Sequence, residues 1–398
     1  MKKEKLRKKD KWTKKRHAVI FTLLRPIFKL FLKIRYNYSY SKDEKTTPKN
    51  ALIYSNHVTV LDPFMIATSF KRPIYYMMND DLFTLGFLSK VISWLVNPIP
   101  KSKSKSDLNA VRLSLKVLKE GGTVGIFPSG NRTLSGASWE VDDSAAKLAK
   151  MAKVPLVLYN IKGGYGSDPR WGGSVRKGKM TGGVVKVIYP EELAKMSVEE
   201  IHEQIVKGLE TEDLTLGWKF KSKKRAEFLE RSLYYCPKCG AFNSIHTKGK
   251  MIFCKECDFA AEYTEDLKIK KIKGDLFGDT TLEWFNYQQE KLAELFSNSS
   301  VDKRLFSDKV EIRLVNGRKR DKRGEASLFA TKEKIEVSGK KIQKQLKFTE
   351  AAGATVLGKR KINFYLSDGS IFQIKGSKRF NAIKYLHLYQ LAIKGENL

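Results

Sequence analysis

The sequence predicts an α/β domain followed by a small metal-stapled module and a β-rich barrel closed by a helix. Three observations carry this expectation. From about residue 45 to 215, short apolar runs alternate with amphipathic segments, the pattern of strands and helices packed in layers. Two Cys-x2-Cys pairs follow, Cys236/Cys239 and Cys254/Cys257, with 14 residues between them. From about residue 306 the pattern changes to short strands separated by turns, ending in one helix.

Composition bounds the possibilities. A chain of 398 residues suggests two or three domains, and 41% hydrophobic residues suffice for a substantial core. Its 76 Lys and Arg against 43 Asp and Glu give a net charge of +33. Such a chain seeks anions: nucleic acid, an anionic membrane surface or phosphorylated substrates. The Cys pairs have the spacing of a metal site, which argues against a disulfide framework and for a reducing compartment.

The elements justify themselves in order. Residues 1–16 carry ten Lys or Arg and two acidic residues, a solvated tail. The apolar run 18–34 is interrupted by Arg25, Lys29 and Lys33, which argues against a signal peptide and against a spanning helix. Those three charges recur at i, i+4 and i+8 and share one helix face, opposite Phe, Leu and Ile. The pattern fits a helix lying in a membrane interface, aided by the basic tail. A core helix with a solvated basic stripe fits as well. Pro26 is expected to kink or split it.

Strands are expected at 51–54, 73–78, 122–127, 155–160 and 183–188. Helices are expected at 63–70, 83–95, 107–119, 142–152 and 197–210. The apolar helix 83–95 reads as core or as an acyl-binding surface. Loops at one end of the sheet would carry the active residues.

Two blocks stand out. Asn56-His57 through Asp62 joins the first strand to the first helix. A carboxylate on one ring nitrogen fixes a histidine's tautomer and stabilises the imidazolium that forms when the other nitrogen takes a proton. The plainer alternative makes Asp62 an N-cap before Pro63, with His57 an ordinary loop residue. The second block, Phe127-Pro128-Ser129-Gly130-Asn131-Arg132, leaves a strand through a tight loop, with exposed N–H groups and a guanidinium suited to a phosphate.

With Val154-Pro155 before an aliphatic run, these blocks resemble the glycerolipid acyltransferases over roughly residues 40–215. The resemblance implies a glycerolipid acyltransferase-like α/β domain in which His57 deprotonates an acceptor hydroxyl and Asp62 orients His57. The hydroxyl would attack an acyl thioester directly, with no acyl-enzyme. Ser129, Gly130 and Arg132 would bind the acceptor's polar head. Lys101, near the end of the family's second block, would assist, or would belong with Lys103 and Lys105 to a solvated charge run. The donor would be acyl-CoA or acyl-carrier protein, the acceptor a lysophospholipid resembling 1-acylglycerol-3-phosphate. Two departures bear on the acceptor. Ser129 stands where the family has Glu, and Asn79-Asp80-Asp81-Leu82 stands where it has Lys-Lys-Glu-Leu.

Beyond the domain, Cys236, Cys239, Cys254 and Cys257 read as two knuckles of a zinc ribbon whose closed thiolate shell makes the metal structural. His246 between them reads as a bystander. Strands at 308–315, 326–331, 334–338, 344–349, 353–357, 362–366 and 370–375, then a helix at 377–393, resemble a pleckstrin-homology or GRAM-like barrel. The expected organisation is a tail and interfacial amphipathic helix at 1–44 and an acyltransferase domain at 45–215. A linker helix at 216–233, the ribbon at 234–262, a linker with an amphipathic helix at 263–305 and the barrel at 306–398 complete it. The leading expectation is an acyltransferase of phospholipid biosynthesis or remodelling, peripheral or monotopic on the cytoplasmic face of the cell membrane. A lipid-binding scaffold with weakened activity is the second reading. A nucleic-acid-binding protein is the third, and nucleic acid is the less favoured partner because the basic tail is coupled to an apolar helix.

Overall fold

In the computed structural model the described residues are 11–41, 48–79, 87–101, 107–211, 213–317 and 319–395, and the chain forms two compact units. The first comprises Met1–Pro169 and Val175–Phe220, the second Arg170–Ser174 and Lys221–Leu398. The Asn79 side chain, residues 80–86 and the Lys103 and Lys105 positions lie outside what is described.

The first unit is a seven-stranded sheet with helices on both faces. Its elements are α1 (Lys15–Tyr36), β1 (Tyr38–Tyr40), β2 (Leu52–Ser55), α2 (Asp62–Ser69), β3 (Ile74–Asn79), α3 (Phe87–Val96) and β4 (Ile99–Lys101). Then come α4 (Leu108–Lys119), β5 (Thr123–Ile126), α5 (Ser144–Ala152), β6 (Leu156–Lys162), α6 (Gly164–Ser167), β7 (Met180–Ile188), α7 (Pro190–Lys195) and α8 (Val198–Gly208). The strand order is β1-β7-β6-β2-β5-β3-β4, parallel throughout except for β6 with β7. Every residue of β2 is buried, as a central strand covered on both faces requires. Alternate side chains feed two cores. Leu52, Tyr54, Leu156 and Leu158 pack with α4, α5 and α8, whereas Ile53, Val157, Tyr159 and Ile161 pack with Leu32 and Tyr36 of α1 and Met65 and Ile66 of α2.

Helix α1 runs unbroken through Pro26. It belongs to the domain, since His17, Leu32 and Tyr36 are buried and Arg25 donates to the Thr68 carbonyl. Its other side leaves Val19, Leu23, Ile27, Leu30 and Ile34 each about 59% exposed or more. Those positions fall within one helix face. Among the described residues no helix is long and apolar enough to cross a membrane.

The stretch 216–233, expected as a helix, crosses from the first unit into the second at Lys221 and consists of irregular chain and turns with a 3-10 turn at Leu229–Arg231. A four-stranded antiparallel sheet follows: β8 (Ile245–Lys248), β9 (Met251–Cys254), β10 (Ala260–Tyr263) and β11 (Ile269–Lys273). Helix α9 (Thr281–Asn298) is packed on this module, with Trp284 donating to the Tyr235 carbonyl and Gln288 bonding the backbone of Ser232 and Tyr234. Segment 263–305 is therefore part of a folded body and not a free linker.

The β-rich half-barrel has β12 (Phe306–Asn316), β13 (Lys319–Ala330), β14 (Lys334–Gly339), β15 (Ile342–Lys347), β16 (Ala351–Leu357), β17 (Lys361–Leu366) and β18 (Ile371–Gly376). Helix α10 (Ile383–Gly395) follows, and the strand order is β15-β14-β13-β12-β18-β17-β16.

Candidate active site

The site is built where β2 ends. The Asn56 side chain extends the pairing of β2 with β6 by one position: its Oδ1 accepts from Ile161 N at 2.9 Å and its Nδ2 donates to the Ile161 carbonyl at 2.8 Å. The chain then turns over buried Val58 and Thr59 into α2. Asp62 is the first residue of α2, fully buried, with Leu61 in the cap position. Its carboxylate folds back on the loop. It accepts from Val58 N at 2.7 Å, Thr59 N at 2.9 Å, Thr59 Oγ1 at 2.7 Å and His57 Nδ1 at 2.7 Å. A capping carboxylate would instead accept from the helix's own first N–H groups, so the N-cap alternative does not describe this residue.

His57 is 21% exposed, and the Asp62 contact leaves Nε2 as the nitrogen for exchange of a proton with a reactant. One face of the imidazole stacks on Phe127, with ring centres 4.3 Å apart and planes 21° apart. Tyr76 stacks behind Phe127 at 6.0 Å, with its hydroxyl donating to the Pro63 carbonyl at 2.9 Å. This wall needs glycine at 125, because a Cβ there would lie 2.4 Å from the Tyr76 ring.

The second block closes over the first. Thr133 N donates to the His57 carbonyl at 3.1 Å. Gly130 adopts φ +65 over open space, so backbone conformation alone demands glycine. Ser129, in the family's Glu position, turns its hydroxyl onto the Asn131 carbonyl at 3.3 Å and closes its own loop. The Trp139 indole holds the Arg132 carbonyl at 2.8 Å. Burial lowers the Arg132 pKa, while Asp62, Asp168 and Tyr36 lie close enough to oppose that shift. Tyr36 donates to Asp168 at 3.2 Å, and burial together with that carboxylate pushes the phenol upward.

His57, Asp62, Ser129, Gly130 and Arg132 are thus brought to one end of the sheet. Lys101 is on β4 at the sheet's edge, three strands from β2 or about 14 Å. It lies near Asp142, whose pKa is lowered first by Ser144 and more weakly by Lys101. Sequence reasoning missed Thr59, Tyr36 and Asp168. Thr59 sits inside the first block, two residues after His57, where a second donor to Asp62 was legible. Asp168 carried no local signal.

The second unit holds a candidate metal centre. Sγ atoms of Cys236, Cys239, Cys254 and Cys257 all lie within 4.8 Å of one another. Cys236 and Cys257 are 3.8 Å apart and Cys239 and Cys254 3.7 Å. Four thiolates about 2.3 Å from a zinc ion, at tetrahedral angles, are about 3.8 Å apart, so the donor set fits the ion. Glu256 N donates to Cys254 Sγ at 3.3 Å, the outer-layer bond expected of a knuckle. His246 lies on β8, outside this cluster.

Comparison with known proteins addresses the first unit. Residues 38–162 match the family model described as Acyltransferase. A 1-acyl-sn-glycerol-3-phosphate acyltransferase of Borreliella burgdorferi is 25% identical over 167 residues, covering 41% of this chain and 67% of that protein. The protein of the same description from Bacillus subtilis is 27% identical over 119 residues, covering 30% of this chain and 58% of that protein. Among solved structures, the 1-acyl-sn-glycerophosphate acyltransferase PlsC from Thermotoga maritima aligns at TM-score 0.41 and 19% identity, over 50% of this chain and 80% of that one. The segment similar to that family, residues 38–162, holds the His57–Asp62 pair and the Arg132 loop.

Proposed function

We propose that this protein moves a fatty acyl group from a thioester carrier, acyl-CoA or acyl-carrier protein, to the free hydroxyl of a lysophospholipid of the 1-acylglycerol-3-phosphate type. The observation that carries this reading is the 2.7 Å contact between His57 Nδ1 and a fully buried Asp62. His57 Nε2 takes the acceptor's hydroxyl proton as the oxygen attacks the thioester carbonyl carbon. Asp62 stabilises the resulting imidazolium. The tetrahedral intermediate expels the carrier thiolate, which recovers the proton from Nε2. Arg132 and the Gly130 backbone hold the acceptor's phosphate.

The exposed apolar face of α1 supports peripheral attachment to a membrane. At the amino-terminal end of α1, Lys14 and Lys15 join Lys49, Lys71 and Arg72 around a basic concavity, which supports an anionic lipid surface. Free thiols arranged for zinc support the cytoplasmic face, where zinc holds the ribbon together and takes no part in the transfer. Seven strands and a closing helix support a PH/GRAM-like identity for the barrel.

The test is acyl transfer by the full chain in vesicles, with labelled acyl-CoA and acyl-carrier protein offered to a panel of lysophospholipids. His57→Ala is expected to abolish transfer while leaving vesicle binding intact. No transfer to any acceptor, with vesicle binding retained, overturns the reading in favour of a lipid-binding scaffold.

A further inference from the structure

The α6 turn brings a second carboxylate to the candidate site. Gly164 opens the turn directly on the first block: a Cβ there would lie 2.3 Å from Val58 Cγ2. The turn lasts four residues, Gly164–Ser167, and Asp168 ends it with its N–H donating to the Gly164 carbonyl at 2.9 Å. Pro169 follows and keeps residue 168 out of the helical region, at φ −140 and ψ 65. Asp168 is therefore delivered by a short, closely packed element and not by a free loop.

Three segments meet there. Tyr36, buried at the end of α1, donates to Asp168 Oδ2 at 3.2 Å. Burial disfavours the charge of Arg132, and Asp62, Asp168 and Tyr36 are near enough to restore part of it. Asp62 is committed to His57, Val58 and Thr59. Asp168 is half-exposed, and an ionised carboxylate offers about four acceptor positions, of which Tyr36 uses one. Near Arg132, with its fork of donors, the site thus sets an acceptor. A headgroup that fits both must carry an anionic oxygen and, close to it, an N–H or O–H.

We propose that Asp168 accepts a hydrogen bond from such a donor on the acceptor's headgroup while Arg132 holds the phosphate oxygens. The assignment rests on the acyl-transfer reading for the identity of the ligand and narrows it. A fully ionised phosphate monoester has no donor to offer and sets two charges against a carboxylate. Two headgroups supply the donor. A monoester that keeps one proton offers its P–OH, and a phosphodiester offers the ammonium or hydroxyl of its substituent.

Equilibrium binding to the full chain tests this in a His57→Ala background, where no histidine of the site titrates alongside the ligand. The other ionisable groups around Asp168 and its Tyr36 partner are Arg35, Arg132, Asp62 and, behind the turn, Arg176, whose guanidinium bonds the Gly166 carbonyl. Short-chain 1-acylglycerol-3-phosphate and short-chain lysophosphatidylethanolamine are titrated calorimetrically from about pH 5 to about pH 8. A phosphate monoester loses its second proton near about pH 6, so its affinity is expected to fall about tenfold across that range. Asp168→Asn puts an amide, which also donates, in place of a pure acceptor and is expected to flatten or reverse the fall. The diester keeps one charge throughout. Its affinity is expected to be independent of pH and about tenfold weaker in the Asn variant. Asp168→Glu keeps the carboxylate and is expected to restore the parent pattern with both probes. Thermal unfolding checks each variant.

The monoester's pH response identifies P–OH as the donor, and the diester's loss identifies the substituent; either supports the role of Asp168. Unchanged binding of both probes in the Asn variant, equal loss in the Asn and Glu variants, or no binding of either probe overturns it. Kinetics of chains that retain His57 separate this role from the reading beneath it. Transfer whose acceptor KM ignores Asp168→Asn removes the Asp168 role alone. Asp168-dependent binding without transfer removes the acyl-transfer reading alone.

Discussion

Two buried aspartates in the first unit use the same local device for different ends. Asp62 and Asp213 are both almost fully buried. Each gathers backbone N–H groups from a neighbouring loop: Asp62 from Val58 and Thr59, Asp213 from Gly163, Tyr165 and Gly166. Asp62 also holds a histidine that reaches the surface. Asp213 accepts from backbone of a loop with no histidine beside it, and burial raises its pKa to about 6 despite those three donors and the nearby Lys162. A nest of amides makes a buried carboxylate tolerable, but only the added imidazole converts it into a group that can move a proton.

That contrast can be broken by experiment. The largest effect is expected at Asp62. Asp62→Asn keeps the side chain's shape but presents the wrong partner to Nδ1, and acyl transfer should fall by about 10²–10⁴. Steady-state kinetics check this, with circular dichroism to show that the fold persists. Retained activity would reduce Asp62 to the role of Asp213.

Metal removal is the next largest. A chelator, or Cys236→Ser, should release zinc and lower the melting temperature of the second unit, since binding energy at a closed thiolate site is folding energy. Metal analysis alongside calorimetry reads both. Here the four-cysteine cluster was legible from spacing alone, whereas the Asp213 nest was not.

Asp213→Asn is expected to cost about 2 kcal/mol, because an amide N–H₂ then faces one of the backbone donors. Turnover per folded molecule should not change. The pH dependence has a definite sign. A carboxyl raised from about 4 unfolded to about 6 folded contributes stability that is complete below pH 4 and lost as pH rises toward 6. The full span is about 3 kcal/mol. Denaturant unfolding between pH 4 and 7 should show this decline in the parent and not in the variant. Gly130→Ala is expected to be smallest, about 1 kcal/mol, because φ is positive but the space is open. A chemical melt measures it.

How far the sequence could be read follows from the range of each interaction. His57 and Asp62 lie five residues apart, and their partners Val58 and Thr59 lie between them, so the local pattern contained the whole contact. Central strands such as β2 and β6 announce themselves by unbroken apolar runs. The three-residue β1 and β4 do not, because their order comes from a neighbour's ladder and not from their own residues. Charge made 216–233 look helical, but its backbone is spent on turns. The stack of His57, Phe127 and Tyr76 joins two residues just past strand ends with one inside β3, and no window along the chain contains it.

That stack has a kinetic consequence. Asp62 holds the imidazole at its edge and Phe127 packs across one face, so two contacts restrict the ring's swing. The activation entropy of transfer should then be set by the arrival of the two lipidic reactants and not by the base. Loosening the wall with Phe127→Ala should make that entropy more unfavourable while leaving the identity of the base unchanged.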